Sequence, residues 1–248
     1  MPVLVWAVGS GVTELEERTI QTSLGPVPLR GVFDQPLTVL AITGMLAAAD
    51  DMARLPIVVA PTGGVVARLP GHGGPTLAQT SIDAFARAFD EVVQCIGPSV
   101  VVGLSVSALV AISMRAPNLR RVVAVEPPLE TAKCWQLGEP MMATFSEHSE
   151  FYRSIMGFDG ETFPGRCYLD LLDALDRPTD FVVGDKPMFP TRRGGGQVFS
   201  MVDEAQRKLI RAAPNASLHI APGAGHPVQR QAGEFLLKII RSACATVA

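Results

Sequence analysis

Residues 99–107 read Ser-Val-Val-Val-Gly-Leu-Ser-Val-Ser, and this stretch decides most of the fold. Its first six residues form a continuous run that is largely β-branched, which is typical of a central strand covered on both faces. Residues 107–115 are mainly small and apolar, as expected for a buried helix. The stretch therefore predicts a sharp change from strand to helix at Ser105.

Outward from this stretch, strand and helix patterns alternate along most of the chain. An early antiparallel pair is separated by the turn signal Leu24-Gly25-Pro26. The predicted strands are residues 18–23, 27–33, 37–43, 57–60 or 65–69, 99–104, 122–125, 181–183 and 217–220, and the clearest helices are residues 80–94, 107–115 and 234–244. Such alternation predicts an α/β fold with a mostly parallel central sheet and helices on both faces. In sheets of this kind, chemistry takes place at the carboxyl ends of the strands.

Composition narrows the class of protein before any motif is considered. The chain has 248 residues, of which 48% are hydrophobic and 18% charged, so wholesale disorder is excluded and a single domain over residues 1–248 is expected. A net charge of −3 without a basic cluster argues against a nucleic-acid partner. No apolar run is long enough to span a membrane. Four scattered cysteines without a C-x-x-C pair argue against zinc and disulfides, and we expect a cytoplasmic protein.

The pentapeptide Gly103-Leu104-Ser105-Val106-Ser107 has the pattern of a nucleophile elbow. The turn brings backbone segments close together, so the positions two before and two after the serine must be small. Gly103 satisfies this requirement, whereas Ser107 is small but departs from the usual glycine. A serine hydroxyl is a weak nucleophile, so a histidine must accept its proton.

Only four histidines are available as that base, and elimination leaves one. His72 comes too early in the chain, His148 lies in an irregular segment, and His219 alternates within a predicted strand. His226 follows the last predicted strand in a glycine-rich turn, from which its ring can reach back across the strand ends. We therefore pair His226 with Ser105.

These features together resemble the α/β-hydrolase superfamily. The resemblance rests on the elbow, the Pro70-Gly71-His72-Gly73 loop, the Gly225-His226 pair and the order of the elements, and it runs from about Arg18 to the C-terminus. It implies an acyl-enzyme route in which His226 acts first as general base and then as general acid. It also implies a small-molecule acyl substrate, and no metal or organic cofactor is needed.

The resemblance further implies an oxyanion hole made of two backbone N–H groups. One belongs to Val106, the residue after the nucleophile. The other belongs to Met45, in the loop Ile42-Thr43-Gly44-Met45 after the third strand, where Thr43 stands in place of the family's usual histidine.

The acid that should orient His226 is ambiguous in the sequence. The family usually places it three residues beyond the glycine that ends the strand at 181–183, but that position holds Pro187. Asp185 is the only carboxylate in that loop and is our preferred candidate. Glu126, at the end of the preceding strand, is the alternative, since some members of the family place the acid there; a third option is that neither residue serves.

Residues 127–165 have uneven periodicity and many Met, Phe and Glu residues, which indicates a lid inserted into the domain. Its aromatic and methionine side chains either line an apolar acyl pocket or pack the lid onto the body. We expect a serine hydrolase that acts on a carboxylic ester or thioester. An acyltransferase with the same site and a non-catalytic ligand-binding or scaffold protein are the alternatives.

Overall fold

The computed structural model describes residues 15–33, 36–46, 63–187 and 199–247, and these form an eight-stranded sheet in the order β1-β2-β4-β3-β5-β6-β7-β8. The strands are β1 Glu16–Thr22, β2 Gly25–Gly31, β3 Val39–Ile42, β4 Gly64–Ala67, β5 Val100–Leu104, β6 Arg121–Val125, β7 Thr179–Gly184 and β8 Ala216–Ala221. The first two strands pair antiparallel, β2 pairs antiparallel with β4, and all remaining pairs are parallel. The α/β fold predicted from the sequence is confirmed.

Helices cover both faces of the sheet. They are α1 Ile82–Ile96, α2 Val106–Ser113, α3 Gly138–Ala143, α4 Phe145–Phe151, α5 Glu204–Ala212, α6 Val228–Gln231 and α7 Gly233–Ala245. Alternate side chains of β5 point to opposite faces. Val101 belongs to a cluster with Phe85 of α1, whereas Val102 belongs to a second cluster with Leu236 and Ile240 of α7. This double coverage explains why β5 is apolar throughout.

Local signals fix the bounds of two helices on either side of this core. The side chain of Ser81 accepts a hydrogen bond from the Ala84 N–H at the start of α1, and Gly97 ends that helix in the left-handed conformation. Helix α5 is not among the helices predicted from the sequence, although Asp203 and Gln206 form a capping box at its start.

The segment 127–165 lies between β6 and β7. Besides α3 and α4, it contains a 3-10 helix at Thr131–Leu137 and a π-helix at Tyr152–Met156. Of the two strands considered between residues 57 and 69, the second is observed as β4, and residues 57–60 lie outside the described residues. Among the described helices, none has both the length and the apolar character needed to cross a bilayer.

Candidate active site

Ser105 lies in the sharp turn between β5 and α2. Its φ of 56° and ψ of −123° are unusual for a non-glycine residue and mark a strained backbone. Its N–H donates to the carbonyl oxygen of Val125, which ties the turn to the neighbouring strand at 2.8 Å. A Cβ atom at Gly103 would lie 2.2 Å from the carbonyl oxygen of Ser107, so this close approach requires glycine. The local geometry is that of the predicted elbow.

Ser107, the residue that departs from the expected glycine, has a contact that the sequence did not reveal. Its buried hydroxyl donates to the carbonyl oxygen of Thr43 at 2.5 Å. The elbow helix is thereby joined to the loop after β3.

His226 reaches Ser105 from the turn after β8. Its Nε2 atom lies 3.0 Å from Ser105 Oγ, and its Nδ1 atom lies 3.2 Å from Glu126 Oε2. The two residues that the sequence analysis paired are therefore adjacent in space. An ionised carboxylate can only accept hydrogen bonds, so the contact with Glu126 places the imidazole proton on Nδ1 and leaves Nε2 free to accept the hydroxyl proton.

Glu126 follows β6 directly, with a φ of 53° and only 1% of its surface exposed. Its Oε1 accepts from the N–H of Gly184 at 2.6 Å, and Oε2 accepts from the N–H of Met201 at 3.0 Å as well as facing His226. Three donors therefore converge on one buried carboxylate. Hydrogen bonds of this kind offset much of the penalty of removing the charge from water.

Asp185, the preferred acid of the sequence analysis, is exposed and does not contact His226. Its Oδ2 instead accepts from the N–H of Gly223 at 2.7 Å, while its own N–H donates to Ala221, so it stabilises the turn after β8. The preference for Asp185 is wrong as a matter of geometry. The alternative, Glu126, meets the imidazole because β6 lies beside β5, which carries the serine.

The expected oxyanion donors lie against the elbow. Gly44 packs so tightly there that an added Cβ would be 3.1 Å from Ser105 Cβ, and Met45 lines the same pocket as Ser105. Val106 is fully buried in the first turn of α2, where backbone N–H groups have no acceptor within the helix. Met45 and Val106 therefore border Ser105, and their role as oxyanion donors stays a prediction.

A pocket of about 310 Å³ opens above Ser105. Its described walls come from the loop after β3, the ends of β5 and β6, the segment after β8 and two residues of the 127–165 segment. The lining residues are Thr43, Gly44, Met45, Leu46, Leu104, Ser105, Val125, Leu137, Pro140, His226, Pro227, Gln229 and Arg230. Most of these residues are apolar, and the polar ones besides Ser105 and His226 are Thr43, Gln229 and Arg230.

Most large side chains of the 127–165 segment pack the segment onto the body. Met141, Phe151, Tyr152, Met156 and Phe158 are buried in the main core cluster, and none of them lines the described pocket. Trp135 and Met142 are instead 47% and 50% exposed. Of the two readings of these residues, packing onto the body fits the described part of the chain.

Cys134 and His219 do not compete with Ser105 as nucleophiles. Burial and the charge of Glu126 raise the pKa of the Cys134 thiol to about 12, so the thiol stays protonated near neutral pH. His219 is bound to Asp180 within the sheet at 2.8 Å. No group of three or more residues suited to hold a metal ion occurs in the ranges that the structure describes.

Comparisons with known proteins identify the family of the chain. The sequence profile of the alpha/beta hydrolase family matches residues 47–238, most of the chain, and the protein belongs to that family. No curated protein is similar enough in sequence to count as a match.

Solved structures with the same fold include several hydrolases. The carboxylesterase CesB from Bacillus subtilis has a TM-score of 0.67 at 15% identity, with 92% of this chain and 91% of that chain covered. A thioesterase domain from the curacin biosynthetic pathway has a TM-score of 0.61 at 19% identity, with 92% and 99% covered. The proline iminopeptidase of Mycobacterium smegmatis has a TM-score of 0.67 at 12% identity, with 94% and 98% covered. At these identities the likeness concerns the fold.

Proposed function

We propose that this protein is a serine hydrolase that cleaves a carboxylic ester or thioester through an acyl-enzyme intermediate. Ser105 is the nucleophile, His226 the general base and Glu126 the acid that orients it. The observation that carries the proposal is the continuous chain of contacts from Ser105 Oγ through His226 to Glu126, at 3.0 and 3.2 Å. This arrangement favours an enzyme over a ligand-binding scaffold, which has no need of it.

The first half of the reaction acylates Ser105. Its oxygen attacks the substrate carbonyl carbon while the hydroxyl proton passes to His226 Nε2, and Glu126 stabilises the resulting imidazolium. The N–H groups of Met45 and Val106 stabilise the tetrahedral oxyanion. When the carbonyl reforms, the bond to the leaving alcohol or thiol breaks, and that group takes the proton from His226.

Water completes the cycle. It loses a proton to His226 Nε2 as it attacks the acyl carbon, and the second tetrahedral intermediate collapses to a carboxylic acid while Ser105 recovers its proton. An alcohol or amine in place of water would make the same site an acyltransferase. The products formed with and without added acceptors distinguish these outcomes.

The pocket supports a small acyl substrate. Its volume of about 310 Å³ and its apolar walls, including Leu46, Leu137 and Pro140, suit a compact apolar acyl group. The carboxylesterase and thioesterase among the structures of similar fold agree with ester or thioester chemistry.

The test is hydrolysis of p-nitrophenyl esters of increasing acyl length and of matched acyl thioesters. We expect turnover by the wild type, and a loss of about 10³-fold or more in Ser105→Ala and in His226→Ala. Ser113→Ala is a matched control, since this serine lies on the same helix and its hydroxyl bonds only the carbonyl of Leu109. Unchanged turnover in Ser105→Ala contradicts the proposal.

A further inference from the structure

The proposed oxyanion donor Met45 lies in residues 43–46, the described part of the loop after β3, and a hydrogen bond holds each end of this stretch. At its start, the Thr43 carbonyl oxygen accepts the hydroxyl proton of Ser107. At its end, the N–H of Leu46 donates to Nδ1 of His72 at 3.3 Å. Leu46 has a φ of 56°, a backbone conformation that branched side chains rarely adopt, so surrounding contacts must hold it there.

His72 also contacts the 127–165 segment. Since Nδ1 accepts from Leu46, the ring proton lies on Nε2, which donates to the Tyr152 hydroxyl at 3.0 Å. The Tyr152 hydroxyl lies 2.6 Å from Thr144 Oγ1, and the Thr144 hydroxyl donates to the carbonyl oxygen of Pro140 at 3.2 Å. In this series of hydrogen bonds, His72 donates to Tyr152, Tyr152 donates to Thr144, and Thr144 donates to Pro140, so that every donor has an acceptor.

Both ends of this chain of hydrogen bonds reach the pocket. Leu46 and Pro140 both line its wall, the first from the loop after β3 and the second from the 127–165 segment. His72 is only 8% exposed and its ring stacks on His148, with the ring centres 4.2 Å apart. Burial, followed by the nearby His148, lowers the pKa of His72 to about 4, so the ring is neutral and can accept at Nδ1 near pH 7.

We propose that His72 is a positioning residue that fixes the oxyanion loop and couples it to the 127–165 segment through Tyr152. This inference rests on the proposed function of the Ser105 site. Without an acceptor at Nδ1, the Leu46 N–H loses its bond and the strained backbone relaxes, which displaces the N–H of Met45 from the oxyanion. A displacement of about 1 Å in a reacting geometry is enough to reduce turnover about 100-fold.

Three variants separate this role from simple packing. His72→Leu removes the Nδ1 acceptor and keeps an apolar side chain in the same space. His72→Asn restores an oxygen close to the position of Nδ1, whereas Tyr152→Phe leaves the Leu46 contact intact and removes the link from His72 to Thr144.

Amide hydrogen exchange at Leu46, followed by NMR, tests the contact without any need for activity. We expect exchange about tenfold faster in His72→Leu, and close to the wild-type rate in His72→Asn and Tyr152→Phe. The imidazole nitrogen shifts of the wild type should report the tautomer with the proton on Nε2. A proton on Nδ1, or unchanged exchange in His72→Leu, overturns the proposal.

Ester kinetics then test the consequence for the reaction. We expect kcat to fall about 10- to 100-fold in His72→Leu with KM changed less than about threefold, and to recover at least partly in His72→Asn. Equal losses in both His72 variants would mean that the ring only packs, and would contradict the proposal. Should His72→Leu fail to fold, Tyr152→Phe decides: a several-fold fall in kcat supports the coupling, and no change refutes it.

The two claims fail in different ways. If the wild type hydrolyses no ester or thioester, the proposed function is wrong, while exchange at Leu46 still decides whether His72 holds the loop. If the wild type is active and His72→Leu matches it in kcat and in Leu46 exchange, only the positioning role is wrong.

Discussion

Replacing Glu126 by glutamine tests how the site is built, because the change keeps the shape and removes the charge. Glu126 is 1% exposed and accepts from Gly184 through one oxygen and from Met201 and His226 through the other. Glutamine has a single oxygen, so its amide N–H₂ must face at least one of these donors. The better orientation turns the amide nitrogen toward Gly184, so the Gly184 N–H loses its acceptor and the amide adds two further buried N–H donors.

The expected loss of stability follows from that mismatch. The unpaired Gly184 N–H alone costs about 1 to 3 kcal/mol in the free energy of unfolding. The expected loss of activity is larger, because a neutral amide no longer stabilises the imidazolium of His226. We expect kcat to fall between about 10²-fold and about 10⁴-fold, with little change in KM because Glu126 does not line the described pocket.

The assay compares ester turnover and urea unfolding for Glu126→Gln and Asp185→Asn under identical conditions. Asp185 is exposed, and its side chain accepts a hydrogen bond from the N–H of Gly223, as an asparagine side-chain oxygen can also do. We therefore expect Asp185→Asn to retain kcat within about twofold. The reasoning is refuted if Asp185→Asn loses as much activity as Glu126→Gln, or if a folded Glu126→Gln keeps the wild-type kcat.

Three further perturbations follow from buried contacts. Gly103→Ala forces a Cβ to within 2.2 Å of the backbone oxygen of Ser107, and we expect thermal unfolding to report a loss of about 1 to 3 kcal/mol. Burial lowers the pKa of His72 from 6.5 to about 4, so below pH 6.5 the unfolded chain binds a proton at His72 that the folded chain does not bind. Between pH 7 and pH 5, the free energy of unfolding of the wild type should therefore fall by about 2 kcal/mol more than that of His72→Asn, as measured by urea unfolding. Asp180→Asn leaves Arg121 without the carboxylate that its Nε contacts at 2.6 Å, and unfolding should report a loss of about 2 kcal/mol with ester turnover unchanged.

The features of the site that the sequence could predict are those with a local pattern. The small residues on either side of Ser105 predict the elbow, and His226 is the one histidine that follows the last strand in a glycine-rich turn. Neither prediction requires knowledge of distances, because the parallel sheet brings the carboxyl ends of its strands to one edge.

The acid could not be settled in this way. Asp185 and Glu126 both follow strands at that edge, and the family's usual position three residues beyond the glycine holds Pro187, which selects neither of them. Which carboxylate reaches His226 depends on the neighbours of each strand and on the local backbone, which is left-handed at Glu126. The sequence gives no periodic signal for either.

Contacts between residues far apart in the sequence could not be predicted either. The bond from Ser107 to Thr43 spans 64 residues, and that between His72 and Tyr152 spans 80. In the sequence, Ser107 stands out only as a departure from glycine, and His72 only as a histidine that comes too early in the chain to be the base. Both positions acquire a role once the loop after β3 is placed against the elbow.

The proposed reaction depends above all on Ser105 being a nucleophile that His226 activates, and covalent labelling with a fluorophosphonate tests this directly. We expect mass spectrometry of the digested wild-type protein to place a single phosphonyl adduct on Ser105. We expect no adduct in Ser105→Ala, and labelling slowed about 10³-fold in His226→Ala. An adduct on any other residue, or labelling of folded His226→Ala at the wild-type rate, would contradict the account.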